Sequence, residues 1–132
     1  MTHHCAVIGN PVAHSRSPEI HAGFAAARGI VLRYDRILAA DEADLAATVA
    51  RFFADGGRGL NITVPYKQTA YRLCGRTTPY AAAAEAVNTL WQENGQLCGD
   101  NTDGRGLRLA LQEHGIALTG ARILILGAGG AA

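Results

Sequence analysis

Three short strand-like segments, each followed by a stretch with helical punctuation, constrain this chain more than any other feature. Residues 4–9 are the first run, and Gly9-Asn10-Pro11 ends it, the pattern of a buried strand entering a loop. Ser17-Pro18-Glu19 then supplies an N-cap, a proline at the first helical position and an acid in the first turn, and Gly29 stops the helix. Residues 31–38 read as the second strand. Asp41 caps a helix whose Leu45, Val49, Phe52 and Phe53 recur at i, i+4, i+7 and i+8 before Gly56-Gly57, so its apolar face packs on a sheet. Residues 59–64 are the third strand; Pro65 cannot donate to a ladder and ends it, and residues 66–73 form a short helix.

Strands joined through helices must lie parallel, because the crossover returns the chain to the edge it left. The rest of the chain adds to that layout. Thr78-Pro79 repeats the cap-plus-proline start for an alanine-rich segment reaching Ala86. Residues 87–92 and 96–99 flank Asn94-Gly95, whose two positive φ values suit a tight hairpin, so one antiparallel pair is expected. A helix over 106–114, stopped by Gly115, leads to a β-rich strand over 122–126 and a glycine-rich end. The fold class is α/β, a three-layer sandwich around a mostly parallel sheet with one antiparallel hairpin. Residues 1–105 form one domain, and 106–132 a linker helix and the opening strand and turn of a second unit.

At 132 residues the chain holds about one domain, taking about 150 residues as the usual size. With 48% hydrophobic and 17% charged residues it has the apolar content for a core. Twelve basic residues against eleven acidic ones leave a net charge of +1, which offers no field to attract nucleic acid or an anionic membrane. No run of apolar residues is long enough to span a bilayer and no cationic leader opens the chain, so the expected compartment is the cytoplasm. Cys5, Cys74 and Cys98 are odd in number and lack a Cys-x-x-Cys spacing, which argues against a disulfide framework or a zinc site; they read as small buried residues. The 16 glycines exceed the usual share of about 7% and, with no repeat to absorb them, belong in tight turns and ligand-facing loops.

Four segments carry candidate chemistry. Gly127-Ala128-Gly129-Gly130-Ala131 follows an apolar strand and fits the turn that brings a dinucleotide pyrophosphate onto backbone N–H groups; a plain glycine-rich strand exit fits equally. Asn61-Ile62-Thr63-Val64-Pro65-Tyr66-Lys67 lies at the C-terminal end of a parallel strand, where open α/β sheets hold ligands, with Asn61 and Thr63 on one side and Lys67 a helical turn beyond the proline. An ammonium donating there to a hydroxyl or carbonyl oxygen would act as general acid or base, whereas an arbitrary lysine is simply solvated. Asp100-Asn101-Thr102-Asp103-Gly104 fails as a calcium loop, since aligning Gly104 with the EF-hand glycine puts Ala110 at the last ligand position. It is either a polar turn capping the next helix or a carboxylate source for Lys67. Ser15 and Ser17 place two hydroxyls at a helix start, suited to a carboxylate, although Ser17 would also serve merely as the cap. His14 and His21, seven apart with no third ligand near, read as structural or surface residues, and no metal site is expected.

The order Gly-Asn-Pro-x-x-His-Ser-x-Ser-Pro, Asn-x-Thr-Val-Pro-x-Lys, Ala-Val-Asn-Thr-Leu, Gly-Asp-Asn-Thr-Asp-Gly and Gly-Ala-Gly-Gly-Ala resembles the shikimate dehydrogenase family across essentially the whole chain. The resemblance implies a substrate-binding and catalytic domain over 1–105 and the truncated start of a Rossmann domain after it. It implies that Ser15 and Ser17 bind the substrate carboxylate and that Asn61, Thr63, Lys67, Asn88 and Asp103 contact the ring hydroxyls, with Lys67 and Asp103 as the catalytic pair. The reaction implied is reduction of 3-dehydroshikimate to shikimate by NADPH, with Gly127, Ala128, Gly129, Gly130 and Ala131 as cofactor contacts and a homodimer left open. Glu85 stands where the family often has a small residue, which is expected to alter helix packing or the pocket rim. The family's chains are much longer, so a fragment is expected. The alternatives are a stand-alone binding module for polyhydroxylated ring carboxylates without redox activity, and a quinate-using relative.

Overall fold

The computed structural model describes residues 1–129. Among them β1 (His3–Gly9), β2 (Leu32–Leu38) and β3 (Gly59–Ile62) lie parallel with β1 in the middle. The sheet continues through β4 (Arg76–Thr77), β5 (Thr89–Glu93) and β6 (Gln96–Asp100) to give the order β2-β1-β3-β5-β6-β4. β5 is antiparallel to both β3 and β6, and β4 is parallel to β6, so β5 alone opposes the other five strands. Asn94 at φ 51° and Gly95 at φ 75° fill the two left-handed positions of the β5–β6 hairpin, as its sequence requires.

Helices lie on both faces. On one, α2 (Glu42–Ala54), α3 (Lys67–Leu73) and α4 (Pro79–Ala84) close over Ala6, Ile8, Leu60, Ile62 and Leu90. The caps are those the sequence names: the Asp41 carboxylate accepts from the Asp44 N–H at 2.8 Å, and the Thr78 hydroxyl accepts from Ala81 N–H at 3.3 Å. Leu45, Val49, Phe52 and Phe53 are all buried in this core. Glu85 ends α4 in the left-handed region at φ 48°, with its side chain exposed. On the other face, α1 (Ser17–Ala27) crosses β1 and β2 but buries only Ala25. Ile20 and Phe24 remain more than half exposed, and a cavity of about 490 Å³ runs between helix and sheet, lined by Cys5, His21, Phe24, Ala25, Arg28 and Leu32.

Several boundaries differ from the sequence reading, each for a local reason. Ser17 is itself helical and Arg16 occupies the cap position without a side-chain bond, so Ser17 is not the N-cap. β3 stops at Ile62, because the chain turns at once through a bond from Tyr66 N–H to Thr63 O, and Lys67 opens α3 two residues after Pro65. α5 (Asp103–Glu113) starts three residues earlier than expected, since the Asn101 side chain accepts the Asp103 N–H and holds the first turn despite two glycines. β4, only two residues long, has no periodicity to announce it. Cys98 is buried as expected, but Cys5 and Cys74 are only partly so.

The expected strand over 122–126 is not formed. Ile123, Leu124, Ile125 and Leu126 are 66–89% exposed, and no described strand pairs with them. Apolar β-branched residues favour a strand, but its backbone N–H and C=O groups need a neighbouring strand, and here none accepts them.

Candidate substrate site

Side-chain alternation along β3 sets up the site. Leu60 and Ile62 point into the core, and Asn61 points to the opposite face, beside Val7 of β1 and Thr89 of β5. Its Nδ2 donates to the backbone carbonyl of Asn88 at 3.2 Å and to the Thr89 hydroxyl at 3.4 Å. Because a carbonyl only accepts, these bonds fix which end of the amide is which, and Oδ1 accepts from the Tyr34 hydroxyl at 2.6 Å. Thr63 follows on the Asn61 side, close against Gly9: a Cβ on Gly9 would stand 2.3 Å from Thr63 Cγ2.

Lys67 and Asp103 are the first residues of α3 and α5, and the fold brings them together from 36 positions apart. The Lys67 ammonium lies 2.7 Å from Asp103 Oδ2; the lysine side chain is 15% exposed and the aspartate 47%, so the pair faces outward from a largely buried stem. Asn88 holds the carboxylate from its other side, donating to Asp103 Oδ1 at 3.0 Å and to the Thr102 hydroxyl at 2.8 Å. Its own oxygen accepts from Thr102 N–H at 3.1 Å and the Thr89 hydroxyl at 2.9 Å. Beneath, buried Asn101 accepts from Asp103 N–H at 2.9 Å and donates to the Ala86 carbonyl at 3.1 Å. The Asp100–Gly104 segment is therefore a helix-starting turn tied to β5, and it also delivers a carboxylate to Lys67. Burial alone would raise the Asp100 carboxyl, but bonds from Thr78, Arg105 and Asn101 N–H hold it below the usual carboxylate range.

Ser15 and Ser17 sit together at the start of α1. The Ser15 hydroxyl donates to that of Ser17 at 3.1 Å and accepts from Ser17 N–H at 3.3 Å. The Arg36 guanidinium fixes this turn from β2, donating to the Ser15 carbonyl at 2.8 Å and to Glu19 at 2.8 Å. The Ser17 hydroxyl caps nothing; it accepts from Ser15 and lies beside the Tyr34 phenol.

The structure thus gathers Asn61, Asn88, Lys67 and Asp103 into one hydrogen-bonded set, places Thr63 on the same face, and pairs Ser15 with Ser17. Tyr34, Thr89, Asn101 and Thr102 also belong to it; the sequence marks the last three only as members of its motifs, and Tyr34 not at all. A tyrosine inside a strand signals that its hydroxyl needs a partner, but the partner lies across two strands and no spacing reveals it. His14 is exposed, and among the described residues no group of three His, Cys, Asp or Glu side chains could hold a metal ion. No helix among them is long and apolar enough to cross a membrane. Gly127, Ala128 and Gly129 are exposed and follow no formed strand. Gly130 and Ala131, named with them, lie outside the described residues.

A family model, the shikimate dehydrogenase substrate binding domain, matches residues 7–90. A shikimate dehydrogenase (NADP(+)) of Acinetobacter baylyi is 55% identical over 131 residues, 99% of this chain and 50% of that protein. One from Cupriavidus taiwanensis is 58% identical over 127 residues, 96% of this chain and 43% of that protein. Among solved structures, the shikimate 5-dehydrogenase of Thermus thermophilus in complex with shikimate aligns with a TM-score of 0.88 at 37% identity, covering 98% of this chain and 49% of that one. The chain spans about half the length of the curated relatives it matches.

Proposed function

Because this chain belongs to the shikimate dehydrogenase substrate-binding domain family, we propose that it forms the substrate-holding and proton-transferring part of an NADP-dependent shikimate dehydrogenase. In this reading residues 1–105 are the substrate-binding and catalytic domain. Residues 106–132 are a linker helix and the start of a dinucleotide-binding domain, with Gly127, Ala128, Gly129, Gly130 and Ala131 as its cofactor contacts. The protein works in the cytoplasm on a small molecule, with neither nucleic acid nor membrane as partner, and a homodimer is compatible with that role.

Ser15 and Ser17 donate to the carboxylate of the ring, and the N-terminus of α1 adds its partial positive charge. Asn61, Thr63 and Asn88 hold the ring hydroxyls. Lys67 gives a proton to the ketone oxygen of 3-dehydroshikimate as that oxygen becomes an alkoxide, and takes one from the shikimate hydroxyl in the reverse direction. Asp103, fixed by Asn88, keeps the ammonium aimed at that oxygen. NADP, when bound, supplies or accepts the hydride.

The observation that carries this reading is the Lys67–Asp103 pair, clamped by Asn88 beside Asn61 at the C-terminal ends of the parallel strands. Calorimetric titration of shikimate into the chain tests it. Saturable binding that Asn61→Ala and Lys67→Ala each weaken by about tenfold is expected. No heat at millimolar shikimate, or equal binding by the variants, would overturn it.

A further inference from the structure

Between the serine pair and Asn61 stands a residue that neither end of the proposed site accounts for. Tyr34 lies in β2 opposite Cys5 of β1, on the sheet face that carries Asn61, and it is half-buried. Its hydroxyl is 2.6 Å from Asn61 Oδ1, and since the far end of that amide donates to Asn88 O and Thr89, the phenol must be the donor. Its ring stacks on the His21 imidazole, with centroids 4.5 Å apart and planes at 20°. His21 in turn donates through Nδ1 to the Ser17 carbonyl at 2.8 Å, because that carbonyl can only accept.

We infer that Tyr34 is a positioning residue that locks the Asn61 amide with its hydroxyl while its ring, through His21, ties that amide to the Ser15–Ser17 turn. Carboxylate recognition and hydroxyl recognition are thereby set in one register. This rests on the reading of the site given above. Burial pushes the Tyr34 phenol up to about 12, and the Ser17 hydroxyl beside it eases only part of that, so the hydroxyl stays protonated as a donor at every pH at which such an enzyme works. Without the phenol, Asn61 Oδ1 loses its donor, and the amide would be held from its nitrogen end alone.

Tyr34→Phe keeps the ring and the stack and removes only the hydroxyl. Binding is measured with shikimate and with cyclohex-1-ene-1-carboxylate, which retains the carboxylate and lacks the hydroxyls. The variant is expected to bind shikimate about fivefold more weakly, the scale of one neutral hydrogen bond. It should bind the carboxylate-only ligand unchanged and, combined with Asn61→Ala, add no loss beyond Asn61→Ala alone. A merely structural role would weaken both ligands and add to Asn61→Ala; that pattern, or unaltered shikimate binding, would overturn the inference. The side-chain amide NMR signals of Asn61 in the free chain give a second readout that needs no ligand. They should shift and exchange faster with water in Tyr34→Phe, and unchanged signals would overturn the clamp. If the unaltered chain takes up no shikimate, the proposed function falls, and the amide signals alone decide the role of Tyr34.

Discussion

One strand, β3, serves two opposite environments. Leu60 and Ile62, each 2% exposed, enter a face that α2, α3 and α4 seal with aliphatic and aromatic side chains. Asn61, lying between them in sequence, enters the other face, where α1 buries a single alanine; the cavity of about 490 Å³ on that face lies toward the opposite ends of the strands, against Cys5 and Leu32. Sealing favours stability: apolar side chains gain most when water is fully excluded. Incomplete cover leaves polar groups to satisfy one another: Asn61, Tyr34 and Thr89 bond sideways within the sheet. Substitutions on the sealed face should therefore act on folding, and those on the open face on ligand.

The largest expected effect is that of Lys67→Ala, at the rim where α3 begins, in the complete dehydrogenase of the proposed reading. Losing a general acid or base is expected to lower kcat by about two to four orders of magnitude, with a much smaller change in KM. Steady-state kinetics measures both, and a kcat within a factor of three of the parent would return Lys67 to the role of a solvated lysine paired with Asp103.

Its counterpart on the sealed face is Leu60→Ala, which leaves a hole beneath α2 and α3 and should cost about 2–5 kcal/mol of unfolding free energy. Urea denaturation reads that loss. Shikimate affinity of the folded fraction should stay within about twofold, since Leu60 and Asn61 point to opposite faces. A large loss of affinity with little loss of stability would break the comparison.

How far the sequence exposes these two faces depends on how local each signal is. The buried stripe of α2, its Asp41 cap, the Asn94-Gly95 hairpin and the separation of Asn61 from Leu60 and Ile62 follow from periodicity and turn chemistry within a few residues, and the structure has them all. The meeting of Lys67 with Asp103 is different. The spacing of 36 residues carries no information about contact, and the pairing came from resemblance to a family. The bonds of Tyr34 and Thr89 escaped because their partners lie across strands. Residues 122–126 misled for the same reason in reverse: β-propensity is a local property, whereas a strand exists only against a neighbour. Ser17 looked like a cap because Ser-Pro at a helix start usually is one, but here the helix begins one residue earlier.

That shift at Ser17 sharpens a third prediction. Ser15→Ala and Ser17→Ala should each remove one hydrogen bond to a charged group, about 1.5–3 kcal/mol, and weaken shikimate about tenfold to a hundredfold. Since Ser17 caps nothing, its variant should carry no helix penalty, whereas Ser15→Ala removes the acceptor of Ser17 N–H at the start of α1 and should melt slightly lower. Neutral analogues lacking the carboxylate should bind both variants as they bind the parent. Equal losses on neutral and anionic ligands would show that the serines do not meet the carboxylate.

The smallest effect concerns the open face at high pH. The Tyr34 phenol is raised from 10.0 to about 12, first by burial, against which the Ser17 hydroxyl acts only in part. Between those values the folded chain retains a proton that the unfolded chain has lost, so this residue's contribution to stability is whole below about pH 10 and falls away as the pH climbs toward 12. Because the face under α1 is only partly covered, solvent screens the group and the contribution is modest. Absorbance titration of tyrosinate should show a late step near pH 12 that Tyr34→Phe lacks. In urea melts, the stability gap between parent and variant should narrow over the same interval. A Tyr34 that ionises near pH 10 would mean that water reaches the phenol freely. The open face would then be too wet to hold Asn61 by a hydrogen bond from Tyr34, and the ordering of that amide would have to come from Asn88 and Thr89 alone.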